Sequence, residues 1–318
     1  MLVNLYKSKT PVAVFSFPIL IGLLGLPLLF VQKEVVPGFF EWQTNWVSWV
    51  VSQKVVHYFS AVFILYFGAI ELNRIVNSYG FHNKNTYLPG LIYAIAIFSF
   101  GQIQFSTVLL ASVFLIFGLG YLFRINRQDS AIASVFMSSV LFGVATVLEP
   151  LLMPVMLLAW FTLVIFRSFI WREWLMMLLG GLIPWAYHYG LYYAFTGSWF
   201  VPFDGLTFVD LTFQPTVPEL GINGFVIILI FYTVWKFLVL MNAELLVFKK
   251  RSRVLFNFVW LTFISFVLGW LLYDQFILAI SIPLAVMVAV QMLNNQRELL
   301  ANIMLYLWIG LAIWSHFG

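Results

Sequence analysis

The sequence predicts an all-α fold, a polytopic bundle of about eleven membrane-spanning helices. Of the 318 residues, 63% are hydrophobic and only 9% are charged, whereas a soluble domain carries about 25% charged residues. Apolar runs of roughly 18–20 residues recur along the whole chain, which is the length that a helix needs to cross a bilayer. No polar stretch is long enough for a separate globular domain, so residues 1–318 are predicted to form a single integral membrane domain.

The first predicted span follows a short charged N-terminus. Lys7 and Lys9 precede an apolar run at about 12–31. This run is too long for a signal peptide, and no small-x-small cleavage site precedes Gln32, so we expect a retained membrane anchor.

The next segment is predicted to lie in the headgroup layer. Residues 32–54 form a loop whose second half has helical periodicity, with Trp42, Trp46 and Trp49 on one face. Helices rich in indole side chains on one face lie at membrane interfaces.

Ten further apolar runs are predicted to be membrane helices. They lie at about 55–73, 88–101, 105–123, 130–148, 151–166, 174–194, 224–243, 254–272, 276–292 and 299–315.

The distribution of positive charge orients these helices. With the N-terminus in the cytoplasm and the C-terminus in the periplasm, thirteen of the 16 Lys and Arg residues fall in cytoplasmic loops and two fall outside. This asymmetry follows the positive-inside rule and explains the pI of about 9.2 without an acidic or nucleic-acid partner. The thirteen are Lys7, Lys9, Arg74, Lys84, Arg124, Arg127, Arg167, Arg172, Lys249, Lys250, Arg251, Arg253 and Arg297.

Composition also limits the chemistry that the chain can carry. Zero cysteines exclude disulfides, thiolate metal sites and cysteine nucleophiles. The four histidines never occur at metal-binding spacing, and the glycine-rich nucleotide-binding motifs are absent from the sequence. We therefore expect no metal and no cofactor, apart from the lipid-linked substrate that one function below would require.

Glu149 is the first candidate site residue. Between Asp129 and Arg167 lie 37 residues, and Glu149, followed by Pro150, is the only ionisable one. The run suits two crossings, so Glu149-Pro150 is predicted to be the tip of a helical hairpin. Its second arm, at about 151–166, would reach only ~24 Å, short of a ~30 Å core. Either Glu149 lies at the floor of an outward-facing cavity and binds a cation, a hydroxyl or a lipid headgroup, or it is a solvated turn residue.

Two other polar features each allow two interpretations. Gln102 lies at the turn of a second short hairpin, which forms a recessed vestibule or only a polar turn. Lys236 is the only cation deep within a span. Its long side chain either snorkels to the interface or pairs with Glu71 or Glu244, since buried intramembrane charges are functional candidates.

Aromatic residues surround a histidine near the outer end of the seventh span. His57 and His188 both lie near the outer ends of their spans, and an aromatic belt explains most of the tyrosines beside His188. The alternative is a wall that binds a sugar or a headgroup. The tyrosines are Tyr187, Tyr189, Tyr192 and Tyr193.

Small residues mark one face of the fifth span, and their spacing favours helix packing over chemistry. They are Ser134, Ser138, Ser139, Gly143 and Thr146.

The stretch Gly143-Val-Ala-Thr-Val-Leu-Glu-Pro-Leu-Leu-Met-Pro resembles the middle of the membrane module of the GT-C superfamily of lipid-linked glycosyltransferases. The predicted layout also resembles that module, in its cytoplasmic N-terminus, its interfacial helix and its short hairpins. This resemblance implies a GT-C-like module over about 1–200 and additional spans over 201–318. It would make Glu34 or Glu41, in the first outer loop, the catalytic base, assisted by Glu149 and His188.

Length and composition also resemble a family of polytopic inner-membrane proteins from Bacteroidota that carries a domain of unknown function. This resemblance implies a bacterial inner-membrane location. We therefore expect a non-catalytic or catalytically degenerate component of an envelope membrane complex, with membrane lipids and other membrane subunits as partners. The alternatives are a glycosyltransferase that uses a polyprenyl-phosphate sugar at the periplasmic face, or a transporter of small molecules or lipids with Lys236 and Glu149 on its pathway.

Overall fold

The structure, a computed structural model, is all-helical in the residues that it describes, which confirms that the fold is all-α. The described residues are 2–7, 10–30, 41–81, 85–99, 103–126, 130–197, 217–243, 246–273, 278–294 and 298–317. The α-helices are α1 (Leu2–Tyr6), α2 (Pro11–Gly25), α3 (Pro27–Phe30), α4 (Glu41–Ser52), α5 (Lys54–Ser78), α6 (Leu88–Ser99), α7 (Thr107–Ile125), α8 (Ile132–Leu148), α9 (Leu157–Phe166), α10 (Trp171–Thr196), α11 (Val217–Ala243), α12 (Leu246–Tyr273), α13 (Ser281–Asn294) and α14 (Glu298–Phe317). Two 3-10 helices, Pro150–Met156 and Leu278–Ile280, precede α9 and α13.

Several of these helices have the length and hydropathy of membrane spans. Among the described residues, five helical segments are long and apolar enough to cross a membrane, which indicates a membrane protein. Each of the eleven predicted runs overlaps a helix, whereas the number of crossings stays a prediction. The five segments are Pro11–Phe30, Lys54–Ser78, Thr107–Ile125, Gly224–Met241 and Leu246–Gly269.

Contacts divide the chain into two compact units. The first unit comprises 1–109, 213–252 and 281–318, and the second comprises 110–212 and 253–280. The first unit is built around two short helices, α6 and α13, which pack against each other. Every residue of α6 is buried, and so are the first ten residues of α13. Both helices are shorter than a bilayer core, and protein surrounds them on all sides.

The N-terminal helix α1 is fixed into this first unit by hydrogen bonds. The Val3 N–H donates to Asn302 Oδ1 at 3.1 Å. The Tyr6 carbonyl accepts from Thr86 Oγ1 at 2.8 Å and from the Tyr87 N–H at 3.0 Å. These bonds satisfy polar groups that would otherwise be buried without partners.

In the second unit, α8 and α10 pack closely because glycines line their contact. A Cβ atom on Gly180 would lie 2.7 Å from the Phe136 carbonyl oxygen, and one on Gly143 would lie 2.8 Å from the Gly181 carbonyl oxygen. Only glycine allows the backbones to approach this closely. The small residues predicted to pack on this face of α8 are buried, as expected.

The same contacts show that α8 and α10 run parallel. Residue numbers rise together along the two helices, from Ala131 beside Glu173 to Thr146 beside Trp185. The 3-10 helix and α9 connect α8 to α10 in the sequence, so they run in the opposite direction to both helices. This confirms the predicted hairpin with its tip at Glu149.

Candidate functional site

Glu149 forms the tip of that hairpin. Its N–H donates to the Ala145 carbonyl at 2.9 Å and ends α8, while its carbonyl accepts from the Leu152 N–H at 3.0 Å and begins the 3-10 helix. Its backbone is extended, with φ −142° and ψ 93°. The side chain turns inward and is only 3% exposed. The interpretation of Glu149 as a solvated turn residue is therefore wrong.

The two oxygens of the Glu149 carboxyl group differ in their hydrogen bonding. It accepts a hydrogen bond from the Leu151 backbone, whereas Oε1 has no hydrogen-bond partner among the described residues. The residue lies between the two helical segments and outside both of them. Burial raises the pKa of the Glu149 carboxyl to about 8, against the opposing effect of the Leu151 bond. At neutral pH the group therefore holds its proton.

The segment after Glu149 is longer than its residue count predicts. Residues Pro150–Met156 form a 3-10 helix, which rises about 2 Å per residue, and α9 adds ten residues of α-helix. Together they reach about 29 Å, which is longer than the predicted ~24 Å, while the segment remains among the shorter apolar helices of the described chain. Runs of 3-10 helix beyond three or four residues are uncommon and often mark hinges or strain. In the 3-10 helix Pro150–Met156, however, the side chains of Leu151, Leu152 and Val155 are buried in the protein.

An aromatic cluster on α10 faces the end of α8. The Trp185 Nε1–H donates to Thr146 Oγ1 at 3.0 Å. The Trp185 ring lies 6.3 Å from the ring of His188 and 5.9 Å from that of Tyr189, between centroids. Because α8 and α10 run parallel, the step from Thr146 to Glu149 matches the step from Trp185 to His188. The structure therefore brings Glu149 and His188 to the same end of this unit.

A second buried carboxylate holds the opposite end. Glu173 is 2% exposed. Its Oε1 accepts from the Ala131 N–H at 3.3 Å, and its Oε2 lies 3.4 Å from Arg167 Nε. One side chain thus joins the start of α8, the end of α9 and the start of α10. Sequence analysis missed this residue, although a Glu and an Arg six positions apart across a helix connection were a usable signal.

Three other predicted side chains, those of Glu71, Lys236 and His57, belong to the first unit. Glu71 forms an ion pair with Arg74 on the next helical turn, with Arg74 Nε donating to Oε2 at 2.6 Å. The predicted pairing of Glu71 with Lys236 is therefore wrong. Lys236 is exposed, and its Nζ lies 5.9 Å from the centroid of the Trp235 ring. His57 is buried in α5, which belongs to the first unit.

Several predicted candidates lie outside the described residues, namely Glu34, Gln102 and Glu244. Glu41 begins α4, but its side chain is outside the described part of the structure. Tyr192 is half-buried one turn beyond His188. Among the described residues, no group of three His, Cys, Asp or Glu side chains could hold a metal ion.

No protein-family model, no curated protein and no solved structure matches the chain. The resemblances to GT-C enzymes and to the Bacteroidota family therefore stay predictions from the sequence.

Proposed function

We propose that the chain is a multi-pass protein of the bacterial inner membrane and a non-catalytic component of a cell-envelope membrane complex. The membrane placement is supported by the five long apolar segments and by the positive-inside distribution of Lys and Arg. That distribution assigns the N-terminus to the cytoplasm.

The observation that carries this proposal is that buried charged side chains bind other parts of the protein. Glu173 joins three helix ends through Ala131 and Arg167. Arg251, which is 8% exposed, donates from Nη1 to the Tyr79 carbonyl oxygen at the end of α5. A catalytic acid, base or electrophile must be free to reach a substrate. These charged groups are instead committed to holding helices together.

Exposed apolar faces supply the surfaces that such a component needs. One side of α10 leaves large side chains uncovered over several helical turns. An apolar face of this extent requires lipid or another subunit to cover it. The exposed side chains are Leu175, Leu178, Leu179, Leu182, Ile183, Tyr187 and Leu191.

Purification in mild detergent after cross-linking in cells tests the proposal. We expect at least one other membrane protein to co-purify in a fixed ratio and to cross-link to an introduced photoreactive residue at Leu178 or Leu182. A photoreactive residue at the buried Met177 serves as the matched control. Recovery of the chain alone, with a bound polyprenyl lipid and no cross-link above the Met177 background, would contradict it.

The absence of cysteine allows a direct test of topology. Single cysteines at Lys250 and at Thr196 are both exposed and are assigned by the positive-inside rule to opposite sides. A membrane-impermeant maleimide added to intact spheroplasts should label only T196C, and lysed membranes should label both. Labelling of K250C from outside would overturn the orientation.

The Glu149 end favours a second candidate function, a glycosyltransferase that acts on a lipid-linked sugar. A buried carboxyl group with an unused oxygen, at the same end of the unit as His188, could bind a sugar hydroxyl. This function predicts transfer from a polyprenyl-phosphate sugar that falls at least about tenfold in Glu149→Met, because methionine has a similar length but neither the donor nor the oxygen acceptors of the carboxyl group. If purified wild-type protein transfers no sugar from such donors, this candidate is rejected.

A further inference from the structure

The first two turns of α12 carry an unusual concentration of positive charge. Four of the five residues from Lys249 to Arg253 are basic, and the first turn of α12 contains no acidic residue. Positive side chains are unfavourable near a helix N-terminus, where the helix dipole is positive. The first turn of α12 therefore supplies no carboxylate to balance these cations.

The four basic side chains divide into two opposite groups. Residues three or four apart share a helix face, so Arg253 shares a face with both Lys249 and Lys250. Arg251 points away from that face, is buried, and donates to the Tyr79 carbonyl oxygen. Arg251 therefore has a structural role, and the other three cations form a separate patch.

The three remaining cations have no partner within the described structure. Lys250 and Arg253 are exposed and Lys249 is half-buried. In the part of the chain that the structure describes, their side chains form no ion pair or hydrogen bond. We name Lys249, Lys250 and Arg253 the basic patch.

Apolar side chains on the same helix face identify the surroundings of the basic patch. Leu246, which is 77% exposed, lies three residues before Lys249, and Trp260 and Ile264 follow Arg253 at seven and eleven residues. These spacings keep all of them on one face. Trp260 lies about 10 Å along the helix axis from Arg253. Beyond Asn257 this face is apolar, and a helix face that passes from apolar side chains to cations is the pattern of a helix that contacts acyl chains and headgroups.

We propose that the basic patch on α12 is a binding site for anionic phospholipid headgroups. The lipid phosphate lies among Lys249, Lys250 and Arg253, and its acyl chains pack against Trp260 and Ile264. Charge complementarity selects anionic over zwitterionic lipids, since cations beside a membrane helix attract negatively charged headgroups. This inference rests on the proposed membrane placement but not on membership of a complex.

Lipid titration of the detergent-solubilised full chain tests the proposal by native mass spectrometry. The probes are phosphatidylglycerol, phosphatidylcholine and soluble glycerol phosphate. Each cation contributes about fivefold to the affinity for an anionic surface, so K249Q/K250Q/R253Q should bind phosphatidylglycerol on the order of a hundredfold more weakly than wild type. Phosphatidylcholine and glycerol phosphate should bind weakly to both proteins.

A charge-matched control separates the basic patch from overall charge. K54Q/R172Q/K236Q removes three exposed cations elsewhere and should change phosphatidylglycerol binding by less than about threefold, because distant exposed charges are screened. The proposal is overturned if this control loses as much binding as the patch variant, or if the patch variant binds like wild type. Equal binding of glycerol phosphate and phosphatidylglycerol would also overturn it, as would loss of a co-purifying acidic protein with lipid affinity unchanged.

Folding of the patch variant is checked separately. In lipid-free detergent its thermal midpoint should equal or exceed that of wild type, because positive charge is removed from a helix N-terminus. Added phosphatidylglycerol should raise the midpoint of wild type only. If the triple variant does not fold, R253Q alone should show about a fivefold loss of lipid affinity, while R253K should keep it; equal affinity of R253Q and R253K would overturn the proposal.

Discussion

Glu173 and Glu149 are buried carboxyl groups at opposite ends of the parallel pair α8 and α10, and their surroundings differ completely. Glu173 has Arg167 beside one oxygen and the Ala131 N–H on the other. Glu149 receives one backbone hydrogen bond, from Leu151, and its Oε1 has no partner among the described residues. One end of the unit is closed by a complete polar network, whereas the other end retains an unused hydrogen-bonding position.

The difference shows how a buried carboxyl group can be kept in an apolar protein. A buried charge is tolerated when an opposite charge and hydrogen bonds compensate it, which is the arrangement at Glu173. Without a cation the group takes up a proton instead, which is the arrangement at Glu149. The first solution fixes helices in place, and the second leaves an oxygen that a ligand can use.

Removal of the cation at the closed end should have the largest effect. Arg167→Met leaves Glu173 buried with no opposite charge, and we expect a loss of about 3–5 kcal/mol in the free energy of unfolding. Denaturant unfolding in detergent, followed by tryptophan fluorescence, measures this loss. The double variant R167M/E173Q should be less destabilised than R167M alone. If R167M is as stable as wild type, the Glu173 network is not structural.

The raised pKa of Glu149 at the open end should make the stability of the protein depend on pH. The pKa of Glu149 is raised from 4.5 to about 8, so the folded state binds the extra proton throughout that interval. Stability is therefore fully present below about pH 4.5, decreases as pH rises, and levels off above about pH 8. The slope is roughly 1.4 kcal/mol per pH unit well below pH 8 and decreases near it, which gives about 2 kcal/mol between about pH 6 and about pH 8.

Glu149→Gln provides the measurement for this second prediction. Thermal midpoints in detergent should fall from about pH 6 to about pH 8 in wild type and stay nearly constant in E149Q, because the amide cannot ionise. Parallel curves for wild type and E149Q would show that Glu149 does not govern the pH response.

The third prediction concerns the contact of α8 with α10 between these two ends, which depends on glycine. In Gly180→Ala the new Cβ lies 2.7 Å from the Phe136 carbonyl oxygen, so the two helix backbones must separate, at a cost of about 2 kcal/mol. Gly190→Ala on the same helix is the matched control, because a Cβ there meets no atom within 4 Å. It should be neutral or stabilise by up to about 1 kcal/mol. Equal stabilities of G180A and G190A would contradict the close packing.

Local patterns in the sequence predicted much of this unit. Hydrophobic runs located the helices, the Glu149-Pro150 pair located the turn, and the small residues of α8 identified its packing face. In the first unit, the Glu71–Arg74 pair is equally local, since the two residues are three positions apart on one helix, yet it was not predicted. The rest depends on tertiary structure. The inward orientation of Glu149 and the contact of Glu173 with Ala131 arise only when α8 and α10 pack.

The smallest effect is expected at the hydrogen bond beside the open end. Thr146 Oγ1 accepts from Trp185 Nε1–H at 3.0 Å and donates to the Gly143 carbonyl at 2.8 Å. Thr146→Val keeps the shape but leaves the buried indole N–H unpaired, which should cost about 1 kcal/mol. Thr146→Ser keeps the hydroxyl and should preserve the red-shifted Trp185 N–H vibration that a hydrogen bond produces. If T146V also preserves that vibration, another acceptor lies within reach of Trp185. The end of the unit that contains Glu149 then holds a further hydrogen-bond acceptor besides Glu149 Oε1.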